Sequence, residues 1–323
     1  VTVSWERAQW RARELAPDWG GVNPYVHLYA TDEWANQGKP WSVIDWAAVA
    51  GTGPDWARAL MSNMNGWLDL FEWWAIHRQS EEGDIGGGWT DDVEVVPAFG
   101  LMAYVLEGAS DLSAESVVRF ADGIWASDIL DRDAGYQAQY ADVEHTAEPT
   151  GNILHLHPLV RFGDPEALER ILKSTKTFRD LFLTNPGPGH THFQGNHLSA
   201  TQIANNLDHR CDIPLCGRVT NPFPFLLWYT NNPGVEVPLK AWITSWVDDA
   251  ARTDHAKPAG VFPQALWTPT NGIGYPGTTD WWSRSVPHGQ YSAFPGYQYY
   301  LYNLAAWFYL RTGDAAYRAP LDT

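Results

Sequence analysis

One junction occurs twice in this chain and limits what it can become. Arg161-Phe-Gly-Asp164 stands before Pro-Glu-Ala-Leu, and Arg311-Thr-Gly-Asp314 stands before Ala-Ala-Tyr. In each, glycine suits the left-handed position just past a helix end, and aspartate suits the N-cap of the next helix. That is an αα-hairpin turn. Between such turns the apolar residues recur at spacings of three and four, the period of a helix with one buried face. Leu60, Met64, Trp67, Phe71 and Trp74 share a face within 55–78, and Val117, Phe120, Ala121 and Ile124 share one within 113–129. After Asp164-Pro165, Leu168, Ile171, Leu172, Thr175 and Phe178 continue the pattern, and helices are also expected from Asn221-Pro222, over 238–252 and over 297–311.

A chain of helical hairpins builds either an open solenoid or a closed toroid. Solenoid repeats have short, similar connections, whereas long Gly-, Pro- and aromatic-rich segments lie here at 79–92, 183–197 and 253–296. Long structured loops usually carry function. The expectation is therefore an all-α fold, a complete or incomplete (α/α) toroid over 55–323 with its loops forming a groove at one end. Residues 1–54 are less helical in pattern, and Val22-Asn-Pro-Tyr-Val-His-Leu-Tyr29 resembles a short strand. They read as a lead-in arm or the edge of a preceding β-domain. Val1 is not preceded by Met or a signal peptide, and Thr323 follows soon after a new helix begins. A mature or excised form with a neighbouring domain missing is expected.

Composition narrows the function. The chain has 19 Trp, 14 Tyr and 12 Phe, more aromatic surface than packing between helices requires. Sugar rings stack their C–H faces on indoles and phenols, so part of this excess points to a carbohydrate groove. Lys+Arg of 21 against Asp+Glu of 38 leaves a formal charge of -17, which argues against nucleic acid and disfavours a polyanion unless the cations cluster. No apolar run approaches the roughly 20 residues that span a bilayer, so no membrane partner is expected. Cys211 and Cys216 are expected to pair in a short disulfide, as in a secreted or periplasmic protein.

Four segments carry chemistry. In Gly83-Asp-Ile-Gly-Gly-Gly-Trp-Thr-Asp-Asp-Val-Glu94, three glycines let the backbone approach a ligand, with Trp89, Asp91 and Asp92 beside it. Those carboxylates suit acid–base work, sugar hydroxyls or calcium, although Thr90 or Asp91 also suits a helix cap. In Tyr136 to Glu148, Glu144 and Glu148 share a helical face with Tyr140 one turn earlier, next to His145, and no Lys or Arg is close in sequence to neutralise them. Gly187 to Leu198 places His192, Asn196 and His197 on a Gly-rich loop, followed by Asp208-His-Arg210. Trp281-Trp-Ser-Arg-Ser-Val-Pro-His-Gly-Gln-Tyr291 adds Trp281, Trp282, Arg284, His288 and Tyr291, with the planar Arg284 fork suited to a carboxylate or to a salt bridge. His155/His157 and His190/His192 have the two-residue spacing of strand zinc sites but no carboxylate at metal spacing, so no metal is assigned. All four segments are expected to converge on one groove.

The Gly-Gly-Gly-Trp-Thr-Asp-Asp-Val-Glu loop after a long helix, the Gly-Asp junctions and the Tyr-rich closing helix resemble the α/α-toroid polysaccharide lyases, including heparinase-like and exo-rhamnogalacturonan-lyase-like proteins. The resemblance covers about two thirds of the chain. It implies β-elimination on a uronic-acid-containing polysaccharide or oligosaccharide, with Asn196, His197 and Arg284 neutralising the carboxylate and Tyr140, His145 or His192 moving the proton. Asp91, Asp92, Glu144, Arg210 and the aromatics would bind substrate. No cofactor is required, and a structural Ca²⁺ is compatible with the acidic loop. The missing basic groove keeps two alternatives open: a glycoside hydrolase using a pair among Asp91, Asp92, Glu144 and Glu148, and a non-catalytic glycan-binding domain.

Overall fold

A computed structural model describes residues 53–94, 111–204, 206–275, 277–283 and 293–323. The strand expected near Val22–Tyr29 lies outside them, as does nearly all of the lead-in arm. The chain divides into two compact units. The first contains the described residues up to Ile124 together with 156–167, and the second contains 125–155 and 168–323.

In the first unit, α1 (Asp55–His77) covers the expected span, and α2 (Asp111–Ala126) begins two residues earlier than its apolar pattern. The glycine loop after α1 packs backbone-first against α2. A Cβ on Gly123 would come within 1.9 Å of the Glu82 carbonyl oxygen and 2.6 Å of Trp89. The Trp89 ring lies edge-on to Phe120 at 5.4 Å. Gly163, at φ 80°, and Asp164, whose Oδ1 accepts the Ala167 N–H at 3.0 Å, form the first hairpin junction after α4 (Leu156–Val160).

The second unit corrects the all-α expectation. Its helices are α3 (Val143–Gly151), α5 (Pro165–Thr177, shared at its start with the first unit), α6 (Phe223–Thr230), α7 (Pro233–Ala251), α8 (Tyr299–Thr312) and α9 (Ala315–Arg318). Between them run β1 (Leu130–Asp131), β2 (Tyr136–Gln137), β3 (Ala141–Asp142), β4 (Leu183–Gly187), β5 (His190–Phe193), β6 (His197–Leu198), β7 (Cys211–Asp212), β8 (Leu266–Trp267) and β9 (Gly272–Ile273). They pair as β1–β2, β3–β6, β4–β5 and β7–β8–β9, all antiparallel. The described residues are therefore largely helical with several small antiparallel sheets, and not plainly an all-α toroid. The reason lies in the long Gly- and Pro-rich segments. Their backbone N–H and C=O groups are buried beside helices and must be paired, and short ladders pair them.

Aromatic side chains form the core of this unit. Phe178 meets Phe223 at 5.2 Å and Phe193 at 5.5 Å, and Phe193 meets Trp242 at 5.5 Å. A π-helical turn, Phe178–Phe182, continues α5 and brings both terminal phenylalanines inside. Gly313 (φ 72°) ends α8, and Asp314 Oδ1 accepts the Ala316 N–H at 2.9 Å to start α9, as the repeated junction implied. Cys211 and Cys216 correct a second expectation: both are buried free thiols. Cys211 is paired with Trp267 across β7–β8, and Cys216 belongs to the 3-10 helix Pro214–Thr220, so the intervening segment is ordered structure and not a loop free to close. Burial pushes both thiol pKa values up, which disfavours the thiolate form. Among the described residues, no helix is long and apolar enough to cross a membrane.

The end of α3 touches the 3-10 helix through glycine. A Cβ at Gly151 would stand 2.2 Å from the Arg218 carbonyl oxygen. Gly151→Ala should therefore destabilise the protein by about 1–3 kcal/mol, seen as a lower urea midpoint with unchanged slope. An unchanged midpoint would show that this contact is looser than described.

Candidate active site

The pairing of β3 with β6 brings together residues more than 50 positions apart in sequence, with Asp142 opposite His197 and Ala141 opposite Leu198. Two further bonds hold the joint: Val143 N–H to Asn196 O at 2.8 Å, and Thr146 Oγ1 to Leu198 O at 2.9 Å. Asp142 caps α3, its Oδ1 accepting from the His145 N–H at 3.2 Å and lying 2.8 Å from His145 Nδ1. An ordinary N-cap thus places Tyr140 just before α3 and His145 in its first turn.

The opposite wall comes from the turn at 206–210. Asn196 N–H donates to His209 O at 2.9 Å. Gly195 permits this approach, since a Cβ there would be 2.5 Å from the same oxygen and 2.6 Å from Ala204 Cβ. As a result the His197 and His209 rings stack face to face, 3.6 Å apart and 9° from parallel. The Tyr140 ring lies 6.0 Å from His197. Tyr275 braces the turn by donating from its hydroxyl to Asp208 O at 2.7 Å.

Hydrogen bonding sets the proton positions. His197 Nδ1 is 3.0 Å from Asn196 Oδ1, and an amide oxygen only accepts, so Nδ1 carries the hydrogen and the neutral ring has its lone pair on Nε2. The Tyr140 hydroxyl and His209 Nδ1 are buried atoms without a hydrogen-bond partner, as is Nε of Arg210, the residue after His209. Such groups are rare unless something else meets them. Burial raises the Tyr140 pKa above the ordinary phenol value, which keeps the hydroxyl protonated and makes it a donor.

Of the residues singled out from the sequence, Tyr140, Asn196 and His197 meet here, with His145 tied to Asp142 at the same joint. Asn196 is fully buried with its amide oxygen on His197, so it positions that ring. Glu144 is half-buried in the first turn of α3. Glu148 turns away from Glu144's solvent side into the interior, where Arg218 Nη1 donates to it at 3.2 Å and Arg218 Nε donates to the Tyr300 hydroxyl at 3.0 Å. Trp281 packs edge-on to Phe294 at 5.0 Å, and Trp282 is exposed. Arg284, His288 and Tyr291 lie outside the described residues. Trp89, Asp91 and Asp92 belong to the first unit. There Asp92 accepts from Ile85 N–H at 2.8 Å and Gly87 N–H at 2.9 Å, closing the glycine loop, while Asp91 is exposed. Asp142 belongs to the ionisable residues concentrated in the 136–148 segment, whereas His209 shows in the sequence only as the middle of Asp208-His-Arg210, because a stacked partner ring leaves no trace in local spacing.

His192 occupies a separate, solvent-free network. Its Nδ1 lies 2.9 Å from Asp212 Oδ2, which also accepts from Phe193 N–H at 3.2 Å, Trp242 Nε1 at 2.8 Å and Trp246 Nε1 at 3.0 Å. Burial opposes charge on this ring, but its bond to Asp212 and the adjacent Asp249 carboxylate outweigh that and raise its pKa.

No protein-family model, curated protein or solved structure matches the chain.

The Glu148–Arg218 pair makes a quantitative test of the interior. Arg218→Met takes the guanidinium away from a buried carboxylate and should cost about 3–5 kcal/mol. Adding Glu148→Gln should restore part of that loss, as read from urea unfolding of both proteins. A double variant no more stable than Arg218→Met would show that the two side chains are not coupled.

Proposed function

We propose that the Tyr140–His197–His209 cluster is the active site of a polysaccharide lyase that cleaves a uronic-acid-containing polysaccharide by β-elimination. The observation that carries this reading is the convergence of a protonated, unpartnered phenol with two stacked imidazoles, one of which is held with its lone pair on Nε2. Elimination needs a base for the proton on the carbon α to the carboxylate, an acid for the leaving oxygen and donors for the charge that grows on the carboxylate.

The parts divide as follows. His197 Nε2 takes the α proton, and the electrons of that C–H bond form the new C=C bond as the glycosidic C–O bond breaks. Tyr140 gives its proton to the departing oxygen and regains one from solvent. His209 Nδ1 and Arg210 Nε supply donors to the carboxylate, and Asn196 keeps His197 in the right tautomer.

The hydrolase reading has less support. Asp92 is occupied by two backbone N–H groups and Glu148 by Arg218. In a glycan-binding domain without activity, the same cluster would bind sugar but turn nothing over.

The test uses one uronate polymer and one neutral polymer, following reducing ends and the ultraviolet absorbance of the conjugated unsaturated product. Wild type should give both signals on the uronate polymer alone. Tyr140→Phe and His197→Ala should each lower turnover by about 10²–10⁴-fold with the fold retained. Reducing ends without new absorbance would refute elimination, and no product from either polymer would refute catalysis at this site.

The raised Tyr140 pKa adds a pH expectation. Activity should persist on the alkaline side until the phenol ionises, beyond the ordinary value of about 10. Rate profiles of wild type and Tyr140→Phe should differ by loss of that limb. An identical alkaline limb in the variant would remove Tyr140 from the proton path.

A further inference from the structure

The geometry points to a divalent-metal site of the zinc class, formed by Nδ1 of His190, Nε2 of His192 and Oδ2 of Asp249, separate from the sugar site proposed above. The two histidines alternate with Thr191 along β5 and so project from one face, while Asp249 comes from α7. The rings are nearly parallel, 19° apart with centroids at 6.1 Å.

Three features distinguish this from an ordinary buried ion pair. First, all three donor atoms are buried and lack a hydrogen-bond partner, although His192 and Asp249 are fully buried residues. His192 Nε2 and Asp249 Oδ2 approach to 3.1 Å, but the ring N–H is not aligned on the oxygen. That separation is near the roughly 3.3 Å between ligand atoms of a tetrahedral zinc with bonds of about 2.0–2.1 Å. His190 Nδ1 is 4.0 Å from the other Asp249 oxygen, and one ligand atom from each of the three residues falls within a 4.8 Å cluster.

Second, the surrounding contacts orient the donors as metal sites require. His192 Nδ1 is held by Asp212, so Nε2 is the nitrogen turned toward the cluster, the carboxylate–histidine–metal arrangement. Arg252 Nη1 donates to Asp249 Oδ1 at 2.8 Å and leaves Oδ2 for the ion. Ser245, one turn before Asp249, accepts the Thr191 N–H at 2.7 Å and locks strand against helix. The Trp246 ring stands edge-on to His192 at 5.8 Å and closes the inner side.

Third, the His190 side chain is 22% exposed whereas His192 and Asp249 are at 0%, so the His190 ring reaches the surface while its Nδ1 stays buried with the other two donors. Two nitrogens and one oxygen make a donor set suited to Zn²⁺. The other group of possible ligands, Asp142, Glu144 and His145, differs on this point: His145 Nδ1 already faces Asp142, and His145 is exposed.

The test is equilibrium dialysis of the chelator-stripped protein against Zn²⁺, with thermal melts in parallel. His190→Ala removes a half-exposed ligand and leaves the Asp212 bonds intact, so it should fold without metal as wild type does. Wild type should take up one zinc per chain and melt higher with it. His190→Ala should bind zinc at least about a hundredfold more weakly and lose that rise, whereas His145→Ala should behave as wild type. The proposal is overturned if wild type binds no stoichiometric zinc, if His190→Ala binds it equally well, or if His145→Ala is the variant that loses it. Failure of polymer cleavage has no bearing on this result.

Discussion

A single carboxylate oxygen organises the second unit. Asp212 Oδ2 accepts hydrogen bonds from an imidazole, a backbone amide and two indoles, and so ties β7 to β5 and to the middle of α7. A buried anion is costly unless it is paired and hydrogen-bonded, and the four donors gathered on Oδ2 offset that cost. The arrangement also constrains its neighbours. Trp242 and Trp246 must stand one turn apart on one face of α7, and Phe193 must bring its backbone within reach. The aromatic core that follows from these positions is polar at its centre and apolar around it.

The candidate site inherits its geometry from that anchor. β5 is fixed by Asp212, and the chain leaving it passes through Gly195 to Asn196 and β6, which are held between β3 and the 206–210 turn. Neither histidine of the stack sits on a long element. Their positions depend on a glycine that lets two backbones touch and on an asparagine that fixes a tautomer. The proposed sugar site and the proposed metal site share a scaffold while using different histidines: His192, so close in sequence to His197, lies apart in the interior on Asp212.

The helices and their junctions were legible because they rest on local rules. Asp164-Pro165 and Gly313-Asp314 act as caps, and the apolar period over 55–78 gives a helix over Asp55–His77. The strands were not legible: most are two residues long, and no alternation can be read in two residues. The same limit applied to charge. Glu148 had no basic neighbour within reach along the chain, yet its partner Arg218 is 70 residues away and arrives only when α3 packs on the 3-10 helix. Tyr140, Asn196 and His197 were visible as chemistry-bearing types in Gly-rich surroundings, whereas His209, Asp212 and Asp249 acquire meaning only through tertiary contacts. The spacing Trp242, Trp246, Asp249 does mark one face of a helix, but nothing in it states that the face meets a histidine strand.

The central claim is that the uronate sits between Tyr140 and the stacked histidines. A crystal structure of Tyr140→Phe with a bound uronate oligosaccharide measures this directly. The account predicts the sugar carboxylate within hydrogen-bond distance of His209 or Arg210 and the α carbon facing His197 Nε2. An oligosaccharide bound away from these residues, or one whose carboxylate faces solvent there, would contradict it.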